Sequence, residues 1–594
     1  MKEFIKYTLA SMLGVMLVGL FSILLFFVML GVISLLGEGK PTVEKNTILR
    51  IELKGSLLDR AETESPFAAL LGKEKLTSQG LNDLVAAVRN AKANDKIIGI
   101  YLDGGTMDAS FASLEELRGA IADFKKSGKF VVAYAEQYTQ GSYYLASLAD
   151  KIMLNPSGML DWHGLAAQPI FYTGLLEKVG VKMQVFKVGT YKSAVEPFIL
   201  SKMSDANREQ VNSFLTDIWQ NVVKSVAQSR KLSADSLNAY ADRYISLADA
   251  KTFQQLKLVD QLTYIDQVRD ELRKRSGNEK PKFVSPQDMA QIFEASTSSD
   301  QVAVYYAEGA IVDVPKTGAL MGETQEIVGS IVVNDLDQLA NDENVKAVVL
   351  RINSGGGSAY ASEQMWRAIQ LLRKKKPVVV SMGDAAASGG YYMSCGAHRI
   401  FADPSTITGS IGIFGMVPDY SNLLTERLGL SFDVVKTNES ADFGAQGREF
   451  NAKEGAALQA HVDRGYQLFI KRVADGRTAA GRKLTPEDVD KIGQGRVWTG
   501  NQALKIGLVD QLGTLQDAIK HAAKLAKIDD YAVANLPQQG TWLEELQKST
   551  DNSEYLEREL KKTLGVYYDP LAFIHSLQRN DMVQARMFFI PNVR

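Results

Sequence analysis

Short apolar runs alternate with amphipathic stretches along most of this chain. Apolar runs at 97–103 and 347–353 are each followed by a segment with helical periodicity and then by another apolar run. Longer β-rich runs at 48–59 and 302–314 predict an opening strand for each of two domains. Buried strands that alternate with amphipathic helices are typical of βαβ units around a parallel sheet. The pattern therefore predicts an α/β protein.

The same pattern occurs twice. The segment KFVVAYAEQYTQGSYYLASLADKIMLNPSG begins at Lys129, and KPVVVSMGDAAASGGYYMSCGAHRIFADPST begins at Lys376. The tetrapeptide Val-Asp-Gln-Leu at 259–262 recurs at 509–512. Similarity at a fixed, long offset indicates one fold used twice in tandem.

With 594 residues, the chain is too long for a single hydrophobic core. The repeat predicts four segments. An N-terminal tail with anchor and linker spans 1–45, the first repeat spans 46–298, the second repeat spans 299–545, and a C-terminal tail spans 546–594. Two charged, helical stretches at 202–258 and 452–505 are interpreted as solvated excursions from the repeats. We assign no function to the C-terminal tail from its sequence.

Residues 7–37 contain no charged side chain and are apolar almost throughout. A membrane span needs roughly 20 such residues. A cleaved signal peptide usually has an apolar core of only ~7–15 residues and a small-residue cleavage site, which is absent here. Lys2 and Lys6 flank the short side and favour a cytoplasmic N-terminus. We therefore predict a single-pass anchor in membrane lipid, with the rest of the chain outside the cytoplasmic membrane.

Charge and cysteine content narrow the function classes. The net charge is −2, the pI is near 6.3, and acidic and basic residues are interspersed. Without a basic stripe, nucleic acid is not an expected partner. Cys395 is the single cysteine, so one chain cannot form an internal disulfide.

A serine lies at a glycine-rich turn of the second repeat. An apolar strand at 378–381 leads into a turn that contains Ser388, and an apparent helix follows. Such a turn presents the serine Oγ at the end of the sheet and aims the first helical N–H groups at an oxyanion. The alternative is a serine that caps the helix, with glycines that ease packing. A second glycine-rich turn at 353–358 favours the interpretation that the two turns form an oxyanion hole. A phosphate-binding loop is the rival interpretation of this second turn, but the turn lacks the lysine-containing pattern of such a loop.

A serine nucleophile needs a base. Neither His398 nor His163, two of the five histidines, is well placed by sequence, although a distant histidine is not excluded. Lys192 follows a strand-like segment and has apolar neighbours, whereas the second repeat has Ala441 near that position. Burial could lower the pKa of a lysine from ~10.4 and make it a base. An ordinary surface lysine is the competing interpretation, and spacing alone does not select Lys192.

Three motifs together resemble one known family. SMGDAAASGGYY, PSTITGSIGIFG and VGTYKSAVEPF are similar to the long, tandem-repeat form of the signal peptide peptidase A family, also called protease IV. The resemblance covers essentially residues 1–540. It implies two tandem ClpP/crotonase-like βαβ superhelical domains behind one N-terminal transmembrane helix. It also implies that Ser388 is the nucleophile, that Lys192 is the general base and that Ser410 positions the lysine amine.

The resemblance extends to the oxyanion hole. It implies that the N–H of Gly389 is one donor. The upstream loop of the family usually reads N-S-P-G-G, whereas this chain has Gly355 in place of the proline. That departure loosens the loop, in which Gly356 is the candidate second donor.

The family is one of serine endopeptidases that act on cleaved signal peptides and other short apolar peptides. By resemblance the chain forms a homo-oligomer, expected to be a tetramer, needs no metal or cofactor, and lies in a bacterial cytoplasmic membrane with its catalytic body on the periplasmic side. One alternative is a crotonase-like acyl-thioester enzyme, since the fold and the paired N–H groups would serve both chemistries. Another is a non-catalytic membrane scaffold, in which the glycine turns only permit packing.

Overall fold

The computed structural model describes most of the chain, namely residues 2–36, 42–61, 78–292, 296–314, 326–538 and 583–587. The chain begins with a helix, Lys2–Leu36. Among the described residues, no helix combines the length and the hydropathy that crossing a membrane requires. The predicted anchor at 7–37 lies partly outside the described residues. The structure does not describe residue 37 or the side chains of residues 9, 23 and 26–36.

The first repeat is built on a parallel sheet of six strands. Neighbouring strands are paired in the order Lys282–Val284, Thr47–Glu52, Ile97–Asp103, Phe130–Tyr138, Lys151–Leu160 and Gln261–Leu262. A small sheet joins three further strands, Ser78–Gly80, Gly55–Leu58 and Met107–Asp108. The helices of this repeat are Leu81–Ala93, Phe111–Lys125, Gln140–Ala146, Thr173–Val179, Glu196–Ile199, Asp205–Arg230, Ala234–Ala241, Ala250–Gln255, Ile265–Ser276 and Pro286–Gln291, with a 3₁₀ turn at Ile245–Leu247.

The second repeat has the same strand order. Its main strands are paired in the order Ala532–Leu536, Gln301–Glu308, Val345–Ser354, Val378–Ala387, Ile407–Gly409 and Val497–Thr499. Arg399–Ala402 also pairs with Val378–Ala387, and Gln511–Leu512 pairs with Arg399–Ala402. Its helices are Gly329–Asn341, Ala359–Arg373, Gly389–Ser394, Ala452–Ala479, Pro486–Ile492, Gly500–Lys505 and Leu515–Ala526, with a π-helical turn at Leu423–Arg427. The repeated strand order agrees with the predicted tandem α/β architecture.

Each predicted opening strand is divided in two. The run at 48–59 is broken before Gly55, and the run at 302–314 is broken at Gly309. Both glycines have positive φ, 74° and 105°, a backbone conformation that side chains with a Cβ rarely adopt. The chain turns there and enters a second sheet, so each run supplies one strand to each of two sheets.

The interpretation of 202–258 and 452–505 as solvated excursions is wrong. The long helix Asp205–Arg230 buries Phe214 and Ile218 in the core of the first repeat. The helix Ala452–Ala479 buries Phe469 in the core of the second repeat. Both helices are amphipathic, so the charged residues that suggested solvation occupy only their outer faces.

A third sheet joins the two repeats. Its six strands are Glu326–Val328, Ala310–Val312, Gly356–Ser358, Val583–Arg586, Phe414–Asp419 and Lys182–Lys187. The last of these belongs to the first repeat and pairs antiparallel with Phe414–Asp419 of the second. The strand Val583–Arg586, called the tail strand below, comes from the C-terminal tail and lies between Gly356–Ser358 and Phe414–Asp419.

A buried ionic cluster also crosses the boundary between the repeats. Arg351 donates to Asp59 Oδ1 at 2.7 Å and to Glu116 Oε2 at 3.1 Å, and all three side chains are less than a tenth exposed. Burial alone would lower the pKa of Arg351, but the charges of Asp59 and Glu116 raise it overall. Burial raises the pKa of Glu116. The arginine therefore stays charged and contacts two carboxyl groups of the other repeat.

Candidate active site

Ser388 occupies the predicted strand-to-helix turn. The strand Val378–Ala387 ends just before it, and the helix Gly389–Ser394 begins just after it. Its φ is 55°, an uncommon value for a residue with a Cβ, and the backbone is held there by hydrogen bonds. The Ser388 N–H donates to the Gly409 carbonyl at 2.8 Å, and the Ser388 carbonyl accepts from Tyr392 N–H at 2.8 Å. The turn thus fixes the direction of the Ser388 side chain.

Lys192 reaches this turn from the first repeat. The strand Lys182–Lys187 follows its partner in the second repeat as far as Phe414, and the chain then crosses to a tight turn at Gly495. A Cβ added to Gly495 would lie 2.6 Å from the Lys192 Cα. Tyr191 N–H donates to the Gln494 carbonyl at 2.9 Å. The backbone of Lys192 is therefore packed directly against the second repeat.

The amine of Lys192 makes three short polar contacts. Its Nζ donates to Ser388 Oγ at 2.8 Å, to Ser410 Oγ at 3.1 Å and to the Ser410 carbonyl at 3.2 Å. In a neutral amine the nitrogen lone pair can instead accept the Ser388 hydroxyl hydrogen at the same distance. The Lys192 amine is thus in direct contact with both of the serines that the resemblance selected, Ser388 and Ser410.

Burial lowers the pKa of Lys192 to about 7. The side chain is only 1% exposed, and the ring of Phe414 lies 6.0 Å from its Nζ. In the described part of the chain, no carboxylate forms an ion pair with it. Because the charged form has lost water without gaining an anion, the neutral amine is populated near pH 7.

Two glycine-rich turns meet beside Ser388. Gly356 has a φ of 97°, and a Cβ added to it would lie 2.7 Å from the Gly389 nitrogen. The Gly356 N–H itself donates to Ser354 Oγ at 3.1 Å. Gly357, which the sequence analysis did not single out, lies opposite Ala585 of the tail strand. The run of three glycines at 355–357 was the sequence signal for an oxyanion hole, but it could not show which of the three N–H groups points toward the tail strand.

The two alternative bases lie elsewhere. His398 Nδ1 accepts from Val378 N–H at 3.1 Å, at the opposite end of the strand that leads to Ser388. The side chain of His163 is exposed. No group of three or more histidine, cysteine, aspartate or glutamate side chains suited to a metal ion occurs within the described ranges. The geometry therefore favours Lys192 over either histidine.

Two cavities border the tail strand. A small one of about 80 Å³ is lined by Lys192 and Ser410 together with Arg586 and Met587. A larger one of about 560 Å³ is mainly apolar. Its lining includes Val583, Tyr392, Ile413, Leu458 and Leu468. Both cavities are thus mainly apolar, with Lys192 and Ser410 beside the smaller one and Val583 beside the larger one.

Known sequences carry the same organisation. The profile described as Peptidase family S49 matches residues 123–279 and 370–529, one segment in each repeat. The profile described as Clp protease matches residues 316–407. Among solved structures, a mutant ClpP1 from Listeria monocytogenes matches at 15% identity with a TM-score of 0.24, over 36% of this chain and 94% of that one.

Three curated relatives cover most of the chain. Protease 4 of Salmonella typhi is 38% identical over 91% of this chain and 88% of its own length. Protease 4 of Haemophilus influenzae is 36% identical over 82% and 80%, and the chloroplastic serine protease SPPA of Arabidopsis thaliana is 29% identical over 92% and 78%. With both repeats matched and this coverage, the chain belongs to peptidase family S49, in the tandem form to which Protease 4 belongs.

Proposed function

We propose that the chain is a serine endopeptidase in which Ser388 is the nucleophile and Lys192 is the general base. The observation that carries this proposal is the 2.8 Å contact between Lys192 Nζ and Ser388 Oγ. It is supported by the lowered pKa of Lys192, about 7, which leaves a substantial neutral fraction to accept a proton. Serine alone is a weak nucleophile, and an adjacent base of this kind activates it.

The reaction proceeds through an acyl-enzyme. Neutral Lys192 takes the Ser388 hydroxyl proton as Oγ attacks the substrate carbonyl carbon. The resulting ammonium gives that proton to the leaving amine when the C–N bond breaks. A water molecule then attacks the ester, again with Lys192 as the base, and Ser388 is regenerated. Ser410 keeps the amine directed at Ser388 in each step, because it holds Nζ through both its Oγ and its carbonyl.

Backbone N–H groups stabilise the oxyanion of the tetrahedral intermediate. Gly389 follows the nucleophile directly, so its N–H is the first donor. Gly356 was expected to supply the second, but its N–H donates to Ser354 Oγ. The neighbouring Gly357, which lies opposite Ala585 of the tail strand, is therefore the better candidate. Loss of one such donor typically lowers kcat by roughly 10²–10³-fold.

The substrates are short apolar peptides, including cleaved signal peptides. A peptide can bind in extended form by taking the place of the tail strand between Gly356–Ser358 and Phe414–Asp419, where main-chain hydrogen bonds supply affinity without sequence preference. The apolar cavity of about 560 Å³ at one end of this groove accommodates a large apolar side chain. Signal peptides consist largely of such residues.

The enzyme works at a membrane. Residues 7–37 anchor it in the lipid of a bacterial cytoplasmic membrane, with the N-terminus in the cytoplasm and the catalytic body on the periplasmic side. This assignment rests on the uncharged apolar run and on Lys2 and Lys6 beside it. A homo-oligomer, proposed to be a tetramer, encloses the active sites and keeps folded proteins out.

The test is hydrolysis of a synthetic apolar peptide by the full-length chain in detergent. Ser388→Ala and Lys192→Ala are compared with wild type, and Lys182→Ala, an exposed lysine of the adjacent strand, is the matched control. The proposal requires both site variants to lose hydrolysis while the control keeps it. Wild type that cleaves acyl-coenzyme A thioesters but no peptide would instead support the crotonase-like alternative. Equal peptide hydrolysis by all four proteins would remove the serine mechanism.

A further inference from the structure

Gln210 is a buried polar side chain that contacts both repeats. It lies on the helix Asp205–Arg230 of the first repeat and is only 1% exposed. Its Nε2 donates to the Tyr191 carbonyl at 3.0 Å and to Ser193 Oγ at 3.0 Å. These two residues stand directly before and after Lys192 in the chain. One amide therefore holds the chain on both sides of the proposed base.

The oxygen of the same amide reaches the second repeat. Gln210 Oε1 accepts from Val497 N–H at 3.1 Å. Val497 begins the strand Val497–Thr499, in which it stands opposite Gly409. The Gly409 carbonyl in turn accepts from Ser388 N–H at 2.8 Å. Gln210 is thus connected, through the pairing of two strands, to the turn that contains the proposed nucleophile.

The segment that Gln210 holds also supports Ser410. The carbonyl of Arg496, the residue before Val497, accepts from Ser410 N–H at 2.7 Å. Ser410 has a φ of 50°, which is uncommon for a residue with a Cβ, so its backbone depends on such contacts. The Oγ and the carbonyl of Ser410 both accept from the Lys192 amine. The Gln210 amide therefore fixes the lysine relative to its hydrogen-bond partner in the other repeat.

A short series of hydrogen bonds determines which end of the Gln210 amide is the donor. The Glu196 carboxyl accepts from Ser204 Oγ at 2.6 Å and from Asn207 Nδ2 at 2.8 Å. Because its nitrogen faces Glu196, Asn207 presents its oxygen to Gln210 Nε2, at 3.1 Å. An amide oxygen only accepts, so this contact selects the nitrogen of Gln210 and leaves the Gln210 oxygen for Val497 N–H.

We propose that Gln210 is a positioning residue for the pair formed by Lys192 and Ser388. This inference rests on the proposed function, because it concerns the same base and nucleophile. The hydrogen bonds of Gln210 go to residues beside this pair, so it acts through the placement of the two groups and not on the substrate. Such placement matters, since a displacement near 1 Å in a catalytic group can cost about 10²-fold in rate.

Replacement of Gln210 by methionine tests the proposal in the full-length chain in detergent. Gln210→Met keeps the length of the side chain and removes its hydrogen bonds. We expect kcat for an apolar peptide to fall roughly 10–100-fold. KM should stay within about twofold, because the strands that bind the peptide are not altered. If Lys192 shifts and gains water, its pKa rises, so the midpoint of kcat/KM against pH should move upward from about 7.

Two controls on the same helix separate positioning from a purely structural role. Gln220→Met changes an exposed residue and should behave as wild type. Ile218→Val shortens a side chain in the core, so it should lower stability toward urea without changing kcat or the pH midpoint. A Gln210→Met protein that loses stability in the same way, but keeps kcat and the pH midpoint, overturns the inference.

Ser193→Ala is the second variant, and it decides the question if Gln210→Met does not fold. It removes a single contact of Gln210, so a smaller fall in kcat and a midpoint shift in the same direction are expected. Lys192→Ala is assayed in parallel. Loss of hydrolysis by Lys192→Ala, with wild-type kcat and pH midpoint in the folded variants of Gln210 or Ser193, overturns positioning alone. Wild-type hydrolysis by Lys192→Ala overturns both proposals.

Discussion

The Lys192 amine lies 2.8 Å from the Ser388 hydroxyl, although 196 residues separate them along the chain. Each residue belongs to a different repeat, and the antiparallel pairing of Lys182–Lys187 with Phe414–Asp419 brings them together. Each of the two domains thus contributes one residue of the proposed catalytic pair.

Replacement of Lys192 by methionine keeps a long buried side chain but removes the base. We expect Lys192→Met to lower kcat by roughly 10²–10⁴-fold, the usual contribution of general-base catalysis. Steady-state hydrolysis of an apolar peptide measures the effect. Lys182→Met is the control, since that lysine is exposed and forms only a surface ion pair with Glu449. Full activity of Lys192→Met would show that another group removes the serine proton.

The lowered pKa of Lys192 sets the pH dependence of the reaction. Because the neutral amine is the active form and its pKa is about 7, kcat/KM should rise about tenfold per pH unit below 7. It should reach half its maximum near pH 7 and level off above pH 8. The profile is measured from pH 5 to pH 9.5, with unfolding followed at each pH. A rate that falls between pH 6 and pH 8 would contradict the assignment of Lys192 as the base.

Gly495 should be essential for activity although it takes no part in the chemistry. A Cβ at this position would lie 2.6 Å from the Lys192 Cα, so Gly495→Ala must displace the lysine backbone. A displacement near 1 Å in a catalytic group can cost about 10²-fold in rate. Gly507→Ala is the matched control, since both glycines have a φ of 80° but the nearest atom to a Cβ on Gly507 is 3.7 Å away. Both variants should lose some stability, and only Gly495→Ala should lose most of its kcat.

Removal of the Arg351 charge should strongly destabilise the boundary between the repeats. Arg351→Met leaves Asp59 and Glu116 buried without their cation, a change that typically costs about 3–5 kcal/mol. Equilibrium urea unfolding, followed by tryptophan fluorescence, measures the loss. Lys346→Met removes a half-exposed ion pair with Asp300 and should change stability by less than about 1 kcal/mol. Equal effects of the two substitutions would mean that the buried cluster contributes little.

Much of this architecture was predictable from local pattern. The alternation of apolar runs and amphipathic segments predicted the parallel sheets, and the internal similarity predicted that one strand order occurs twice. Ser388 could be selected because a serine among glycines between a strand and a helix is itself a local signal. In the structure the strand continues to Ala387, beyond the predicted end at residue 381, because its last residues pair with Ile407–Gly409.

Other features depend on contacts between distant segments. Spacing could not select Lys192, because its burial comes from Gly495 and Phe414 of the other repeat. The second oxyanion donor was uncertain among consecutive glycines, since only the strand pairing shows that Gly357 faces Ala585. The tail strand was missed entirely. A short strand without its own periodicity is specified by the groove that receives it, and that groove is formed by residues far away in sequence.

The division of the site between the repeats bears on how the chain is made. During synthesis Lys192 leaves the ribosome 196 residues before Ser388, a delay of roughly 10–40 s at ordinary rates of elongation. Throughout that interval the first repeat has a lysine but no nucleophile. Under the proposed mechanism, a nascent chain without the second repeat cannot hydrolyse peptides, and hydrolytic capacity arises only when both repeats have folded and docked. The order of synthesis itself acts as a safeguard that other proteases obtain from a removable pro-segment.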